Sequence, residues 1–250
     1  MPTLHVVMPA YNEGPTLRAI VARVLDAPLP AGWERRLLVV DDGSGEEGAR
    51  VAREAVAERA AQGVRLLMHP RNRGKGAALM TGFDAVLASA RDEDAVLVQD
   101  ADLEYDPADY PALLEALAPD GRTAVFGNRW ADRAGRPTAV RRAHARANRM
   151  LTAASNLMTG LRVHDMECCY KVLPVPLLRA VRPALTEERF GIEPQLAAAL
   201  ARAGARLAEA PVRYQPRSFA QGKKIRPRDG VRALWVIVRE RVRPAGGSVR

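Results

Sequence analysis

Short apolar segments alternate with amphipathic stretches through the first half of the chain, and each apolar segment ends in polar or acidic residues. This alternation predicts an α/β fold, with a mostly parallel central sheet and helices on both faces. The predicted strands are Leu4–Met8, Leu37–Val40, Val64–Met68, Ala95–Val98 and Thr123–Phe126. Loops that follow the carboxyl ends of parallel strands meet at one edge of the sheet, so we expect ligand-binding residues there.

Helical patterns fill the intervals between the strands and most of the second half. The predicted helices are Pro15–Leu25, Glu46–Ala61, one that begins near Gly76, Asp109–Leu117, Arg141–Thr159, Pro194–Ala203 and Arg228–Arg243, with a further strand at Arg206–Val212. The chain has no long linker, low-complexity segment or internal repeat. We therefore predict a single domain over residues 1–243, followed by a frayed tail at 244–250.

The composition of the 250 residues narrows the class of protein. Hydrophobic residues make up 48% of the chain, which is enough for a buried core and excludes wholesale disorder. No apolar run approaches the length of about 18 residues that a membrane-spanning helix needs. The first 14 residues lack the basic start of a signal peptide, and the adjacent Cys168 and Cys169 form neither a disulfide framework nor a metal knuckle. We expect a cytoplasmic enzyme.

The net charge of +9 is unevenly distributed. Residues 213–250 hold 11 of the 38 basic residues and only two acidic ones, and residues 129–149 hold seven arginines. Eight carboxylates lie between residues 92 and 109. Single clusters of this kind are commonly solvated faces, but together they suit a polyanionic ligand held through a divalent cation. Nucleic acid is the rival polyanion; because no zinc-finger, basic-zipper or RNA-recognition signature is present, we expect no nucleic-acid partner.

Three carboxylates follow the predicted strand Ala95–Val98. If the chain stays extended, alternate residues face the same way, and Asp100, Asp102 and Glu104 would converge. Like charges at one place are costly unless a cation joins them. Oxygen ligands of this kind suit Mg²⁺ or Mn²⁺, with a substrate diphosphate completing the coordination. The alternative is a solvated acidic turn.

Other loops carry weaker signals. Asp41–Ser44 can accept hydrogen bonds from a base or ribose, or can cap a helix. His69–Gly76 places three cations and two glycines before a helix, a setting fit for phosphate or a solvated basic loop. It matches neither a P-loop nor G-x-G-x-x-G, so P-loop and dinucleotide-oxidoreductase chemistry have no support, and a nucleotidyltransferase would need a Gly-rich pyrophosphate loop that is missing. Arg217, Lys223 and Lys224 suit phosphate contact or surface solvation equally.

These segments, taken together and in order, resemble the family 2 glycosyltransferases, and within them the dolichol-phosphate mannosyltransferase-like, or polyprenyl-phosphate glycosyltransferase, group. The resemblance is carried by Val7-Met-Pro-Ala-Tyr-Asn-Glu13, Val40-Asp-Asp-Gly-Ser44, Asn72-Arg-Gly-Lys-Gly76, Gln99-Asp-Ala-Asp-Leu-Glu104, Gly127-Asn-Arg129, Asp165-Met-Glu-Cys-Cys-Tyr-Lys171, Arg189-Phe-Gly-Ile-Glu-Pro194, Arg217 and Gly222-Lys-Lys224. It runs from about residue 4 to residue 240. It implies the GT-A fold, in which a DXD-type motif holds a metal ion, with a nucleotide-binding half at about 1–130 and an acceptor half at about 131–243.

The resemblance also implies roles for individual residues. The residues expected to line the nucleoside pocket are Pro9, Tyr11, Glu13, Val40 and Asp42. Asp100, Ala101 and Asp102 would contact the nucleotide-sugar, and Asp100, Asp102 and Glu104 would hold Mg²⁺ or Mn²⁺. The cations expected on phosphates are Arg129, Arg217 and Lys223 on the donor side and Arg142 on the acceptor side, where Arg141 and Arg146 compete for the same role.

The implied activity is inverting transfer of a hexose from a nucleotide-diphospho-sugar to a polyprenyl phosphate, and we expect Asp102 and Asp165 to be catalytic. The nearest alternative is the same fold acting on a soluble hydroxyl acceptor, with Asp165 as the general base. With a lipid phosphate acceptor, Asp165 would position instead of abstracting a proton, or would only cap its loop. As a helix, the tail from Arg228 would be amphipathic and basic, which suits peripheral contact with the inner face of a membrane or packing against the protein's own core.

Overall fold

The structure is a computed structural model that describes residues 1–131, 139–217 and 227–242, without the side chains of Pro15, 139–144 and 227. The strands are β1 (Thr3–Ala10), β2 (Glu34–Asp41), β3 (Val64–Met68), β4 (Ala95–Val98), β5 (Thr123–Asn128), β6 (Lys171–Pro174) and β7 (Arg206–Pro211). The α-helices are α1 (Gly14–Asp26), α2 (Glu46–Ala57), α3 (Lys75–Leu87), α4 (Tyr110–Glu115), α5 (Ala139–Thr159), α6 (Val175–Val181), α7 (Ile192–Arg202) and α8 (Pro227–Val242). Short 3-10 turns lie at Ala60–Gln62, Pro107–Asp109 and Arg182–Ala184.

The seven strands form one sheet in the order β3-β2-β1-β4-β6-β5-β7. All neighbouring pairs are parallel except those that β6 makes with β4 and β5. The register aligns the carboxyl ends of β1 and β2, where Ala10 pairs with Asp41. Because β6 runs in the opposite direction, its first residue, Lys171, pairs with Phe126 near the carboxyl end of β5. The segment that enters β6 therefore lies at the same edge as the loops that leave the parallel strands.

The core forms where the central strands are covered by helices. Val6, Val39, Val96 and Val125 are fully buried, as expected for strands buried on both faces. Helix α3 packs closely on β1, because Gly82 has no side chain and an added Cβ would lie 2.4 Å from Cγ1 of Val7. Within the described ranges, no helix combines the length and the apolar character needed to cross a bilayer.

The predicted α/β architecture is confirmed, and its five early strands are all present. Three of them extend further than the apolar runs because their flanking polar residues also pair. Sequence reasoning missed β6 and α6. The strand has only four residues and ends at Pro174, and the next helix begins with a second proline, Pro176, in its first turn. A segment this short and rich in proline shows neither the alternation of a strand nor the 3.6-residue periodicity of a helix. The frayed tail expected at 244–250 lies outside the described residues.

Candidate active site

Asp42 organises the loop that joins β3 to α3. Its buried carboxylate accepts hydrogen bonds from Nδ1 of His69 at 2.7 Å, Nδ2 of Asn72 at 2.8 Å, and the backbone N–H groups of Arg73 and Gly74 at 3.0 and 2.6 Å. Asp42 was expected to line the nucleoside pocket. In the structure both of its carboxylate oxygens are engaged within the protein, so its visible role is to hold the loop.

The glycines of that loop permit close backbone packing. An added Cβ on Gly76 would lie 1.9 Å from the carbonyl oxygen of Glu187. The N–H of Ala77, in the first turn of α3, donates to the carbonyl of Glu188 at 2.9 Å. The start of α3 is therefore covered by residues 187–189. At this helix start the sequence suggests a phosphate site or a solvated basic loop, whereas the structure shows packing against residues 187–189.

Lys75 turns instead into a chain of buried charges. Its Nζ lies 2.8 Å from Oδ1 of Asp100 and 3.0 Å from Oε1 of Glu193, and Lys171 lies 2.5 Å from the other oxygen of Glu193. Burial alone would lower the pKa of Lys75, but Asp100, Cys169 and Glu193 together raise it well above the usual value. Lys75 stays charged, and this chain of ion pairs joins Asp100 to α7.

Arg217 brings together three carboxylates that are far apart in the sequence. Its guanidinium lies 3.1 Å from Glu13, 3.1 Å from Asp102 and 3.5 Å from Glu104. Its backbone N–H also donates to Glu104 at 2.9 Å, and Glu104 accepts a second bond, of 2.6 Å, from the hydroxyl of Tyr214. Four of the predicted site residues thus meet at one point, which we call the Arg217 cluster (Glu13, Asp102, Glu104 and Arg217).

The three carboxylates that follow β4 do not converge as the extended-chain argument predicted. The chain turns after Asp100, with Leu103 at φ +63°, and Asp102 accepts the N–H of Glu104 at 3.0 Å. Asp100 is held by Lys75, whereas Glu104 faces Tyr214 and Arg217. Among the described residues there is no group of three or more His, Cys, Asp or Glu side chains placed to hold a metal ion. The turn, stabilised by the Asp102 side chain, is the physical reason.

Negative charge is nevertheless in excess around Asp102. Burial raises its pKa, and the neighbouring Asp100 and Glu104 raise it further, to about 7, although Arg217 opposes the shift. A carboxyl group in this setting gains from any additional cation that approaches it.

Arg129 and Asp165 form a closed ion pair at the end of β5. Nε and Nη2 of Arg129 each lie 2.7 Å from a different oxygen of Asp165, and the backbone N–H of Arg129 donates to the same carboxylate at 3.1 Å. The Asp165 side chain is fully buried. Asp165 was expected to be catalytic, either as a general base or by positioning; in the structure it holds the guanidinium of Arg129, which lies over the rings of Trp130 and Tyr214.

The other predicted residues fall into two groups. Pro9 and Tyr11 are partly exposed at the end of β1, whereas the side chains of Val40 and Ala101 are buried in the core, so only their backbone atoms can face a ligand. Lys223 and the side chain of Arg142 lie outside the described residues.

Sequence reasoning gave no individual role to three charged residues that the structure brings to this edge, Glu167, Lys171 and Glu193, and considered Lys75 only as one of three cations in a loop fit for phosphate. Each lies within a motif that carried the family resemblance. Their spacing gave no signal, because β6 and α7 bring them together only in the folded chain.

Residues 5–182 match the family model described as glycosyl transferase family 2. The chain belongs to this family. Among curated proteins it is 31% identical over 220 residues to the undecaprenyl-phosphate 4-deoxy-4-formamido-L-arabinose transferase of Edwardsiella ictaluri, covering 88% of this chain and 62% of that protein. The protein of the same name from Pseudomonas aeruginosa is 32% identical over 184 residues, covering 74% and 48%. The chain thus spans about half to three-fifths of the length of these relatives.

Solved structures identify the fold of this family 2 member. Glucosyl-3-phosphoglycerate synthase from Mycobacterium tuberculosis, crystallised with UDP, superposes with a TM-score of 0.66 at 22% identity, covering 96% of this chain and 80% of that one. The same enzyme with Mn²⁺, UDP and phosphoglyceric acid gives a TM-score of 0.66 at 21% identity, covering 96% and 79%. The expected GT-A fold is confirmed.

Proposed function

We propose that this protein transfers a hexose, with inversion, from a nucleotide-diphospho-sugar to a polyprenyl phosphate, and that it uses Mg²⁺ or Mn²⁺. The observation that carries the proposal is that Asp102, paired with Arg217, lies at the carboxyl edge of a family 2 fold together with a second arginine, Arg129, which Asp165 holds. The relatives named as undecaprenyl-phosphate sugar transferases support the lipid acceptor. Residues 1–130 would hold the donor, and 131–243 would supply the acceptor side.

The residues at this edge fit a magnesium or manganese ion. Mg²⁺ commonly takes one or two protein carboxylates and completes its coordination with water and substrate phosphates, so a set of three is unnecessary. Asp100 and Asp102 would hold the ion, and the excess negative charge around Asp102 favours this. Glu104 already accepts hydrogen bonds from Tyr214 and Arg217, so the proposal does not need it as a ligand. When bound, the ion supplies positive charge against the departing diphosphate.

Two arginines of the chain, Arg129 and Arg217, would also stabilise the charge of the leaving diphosphate. Transfer breaks the bond between the anomeric carbon and a phosphate oxygen, so negative charge grows on the leaving group. Arg129 is held rigidly by Asp165, and a fixed charge costs no reorganisation when the reaction proceeds. Arg217 would exchange its carboxylate partners for the diphosphate.

The arrangement of Asp165 favours a phosphate acceptor over a hydroxyl acceptor. An alcohol needs a general base within hydrogen-bond reach of its proton, but Asp165 is buried and its carboxylate is held by Arg129. A lipid monophosphate is already anionic at neutral pH, so it needs orientation and charge compensation instead of deprotonation. Transfer to a soluble hydroxyl compound remains the second candidate, favoured only by the phosphoglycerate-bound structures of the M. tuberculosis enzyme.

Helix α8 offers a surface for the membrane that would contain such an acceptor. Its outer face exposes apolar side chains, between 48% and 76% accessible: Val231, Leu234, Trp235, Val238 and Val242. Arg232 and Arg239 flank the Trp235 ring at 4.2 and 4.8 Å. An apolar stripe bordered by arginines suits the interface of an anionic bilayer, so we place the protein peripherally at the inner membrane face.

The test of transfer uses labelled nucleotide-sugars with undecaprenyl phosphate and Mn²⁺. We expect labelled product in the organic phase, and none when EDTA is added. Label that appears only in the aqueous phase with a hydroxyl acceptor would favour the second candidate. Flotation with phosphatidylglycerol vesicles tests the surface: Trp235→Ser should weaken binding by about tenfold, and Glu47→Ala, at an exposed site on α2, should not. Equal flotation of the Trp235 variant and wild type would refute the membrane surface.

A further inference from the structure

Glu167 has a buried oxygen that no group in the described part of the chain satisfies. Its Oε1 atom is inaccessible to solvent and has no hydrogen-bond partner among the described residues. The residue lies in the segment that enters β6 at the carboxyl edge of the sheet, two positions after Asp165. Buried polar atoms are almost always paired, so one left unpaired at a functional edge needs an explanation.

The charged groups around Glu167 are engaged with one another. Arg129 is held by Asp165, whereas Lys171 and Lys75 share Glu193. Burial raises the pKa of Glu167 to about 7; Glu193 and Asp165 act in the same direction, and Lys171 and Arg129 oppose them. Glu167 therefore lies between two ion-pair systems, and neither gives Oε1 a hydrogen bond.

A purely structural role does not account for this arrangement. A buried carboxyl oxygen without a partner costs free energy, and an isosteric amide or an apolar side chain would cost less. A phosphate is also a poor match, because it would bring a second anionic acceptor against Oε1, and the nearby cations Lys171 and Arg129 are already paired with Glu193 and Asp165. A neutral hydroxyl group fits, since it can donate to Oε1 and adds no charge.

The position of Glu167 identifies the source of that hydroxyl. On one side, Lys75 and Glu193 link its surroundings to Asp100, which is expected to contact the nucleotide-sugar. On the other side is Arg129, expected on the diphosphate. We propose that Glu167 recognises the transferred sugar by accepting a hydrogen bond from one of its hydroxyl groups at Oε1. This inference rests on the proposed function and adds a specificity-determining residue to it.

The experiment compares wild type, Glu167→Gln, Glu167→Ala and the surface control Glu47→Ala. UDP- and GDP-hexoses are first screened with wild type, Mn²⁺ and undecaprenyl phosphate to find the donor. For each protein we then measure the dissociation constants of that nucleotide-sugar and of its nucleoside diphosphate by calorimetry, kcat/KM for transfer, and Tm.

We expect Glu167→Ala to weaken nucleotide-sugar binding by about 10- to 100-fold and to leave nucleoside diphosphate binding unchanged. Glu167→Gln keeps an acceptor oxygen and should lose less than Glu167→Ala, with a Tm equal to or above that of wild type. Equal losses for nucleotide-sugar and nucleoside diphosphate, or a lowered Tm for Glu167→Gln, would overturn the inference. So would unchanged sugar binding in Glu167→Ala. If wild type transfers from no donor, the proposed function itself fails.

Discussion

The aspartates beyond the two ends of strand β4, Asp94 and Asp102, have pKa values shifted in opposite directions. Asp94, just before the strand, accepts hydrogen bonds from the N–H groups of Thr3 and Arg91 at 2.8 and 2.9 Å and contacts His5 at 3.2 Å. Although burial would raise its pKa, these bonds lower it. Asp102, beyond the other end, has a pKa raised to about 7 by burial and by its neighbouring carboxylates. The fold therefore stabilises the charged form of Asp94 with hydrogen bonds, whereas the charged form of Asp102 would be stabilised by an additional cation.

The difference indicates that the aspartate before β4 contributes to stability and the one after β4 to function. Backbone N–H groups already donate to the Asp94 carboxylate, so we do not expect it to bind a ligand. Asp102 shares one arginine with Glu13 and Glu104, and the sum of charges in the Arg217 cluster is negative. The amino edge of the sheet is therefore expected to hold the structure together, and the carboxyl edge to bind the donor.

The largest expected effect is that of Asp102→Asn. The amide keeps the shape and the bond to Glu104 N–H but removes the charge that would hold the metal ion, so transfer should fall by at least about 1000-fold. The Tm should hold or rise, because a buried like charge is removed. Rates in the lipid-extraction assay and thermal unfolding would check both statements. Retention of full activity, with or without EDTA, would remove Asp102 from the proposed mechanism.

Arg217→Met should change metal affinity and transfer rate in opposite directions. Loss of the guanidinium leaves Glu13, Asp102 and Glu104 without their shared cation, so Mn²⁺ affinity measured by electron paramagnetic resonance should rise about tenfold. Transfer should fall about 100-fold, since the same arginine is expected on the diphosphate. Arg213→Met is the matched control, because Arg213 pairs on the surface with Asp106 and Asp109. A drop in Mn²⁺ affinity would show that the cluster does not compete with the metal.

Asp94→Asn tests the other end of the strand. Removing the charge weakens two backbone hydrogen bonds and the contact to His5, which should cost about 2 kcal/mol of unfolding free energy and roughly 4–8 °C in Tm. The KM for donor should stay at the wild-type value, because Asp94 faces the edge of the sheet away from the Arg217 cluster. Denaturant titration and steady-state kinetics provide the measurements. A raised KM without loss of stability would break the division between the two edges.

The parallel strands and their shared edge were predictable from the sequence because each apolar run ends in polar residues. The meeting of Glu13, Asp102 and Arg217 was anticipated only through family resemblance, since the last of these lies 115 positions from Asp102. The turn at Leu103 was not predictable, because the argument that alternate residues face the same way assumes an extended chain. The sequence pattern does not show where the extended conformation ends. The closed pairing of Asp165 with Arg129 depends on β6, a strand too short to show a period.

The smallest expected effect concerns His5, the partner of Asp94. Burial lowers the pKa of His5, although Asp94 opposes this. A histidine with a lowered folded-state pKa takes up its proton more readily when unfolded, so its contribution is complete above the unfolded pKa, near 6.5, and is lost as the pH falls through the folded value. The pKa of His164, raised by Glu209, acts in the opposite direction. His5→Gln should therefore flatten the loss of unfolding free energy between pH 7.5 and 5 relative to wild type, as measured by urea titration. An unchanged pH slope would mean that the amino edge draws its stability from the backbone bonds to Asp94 alone.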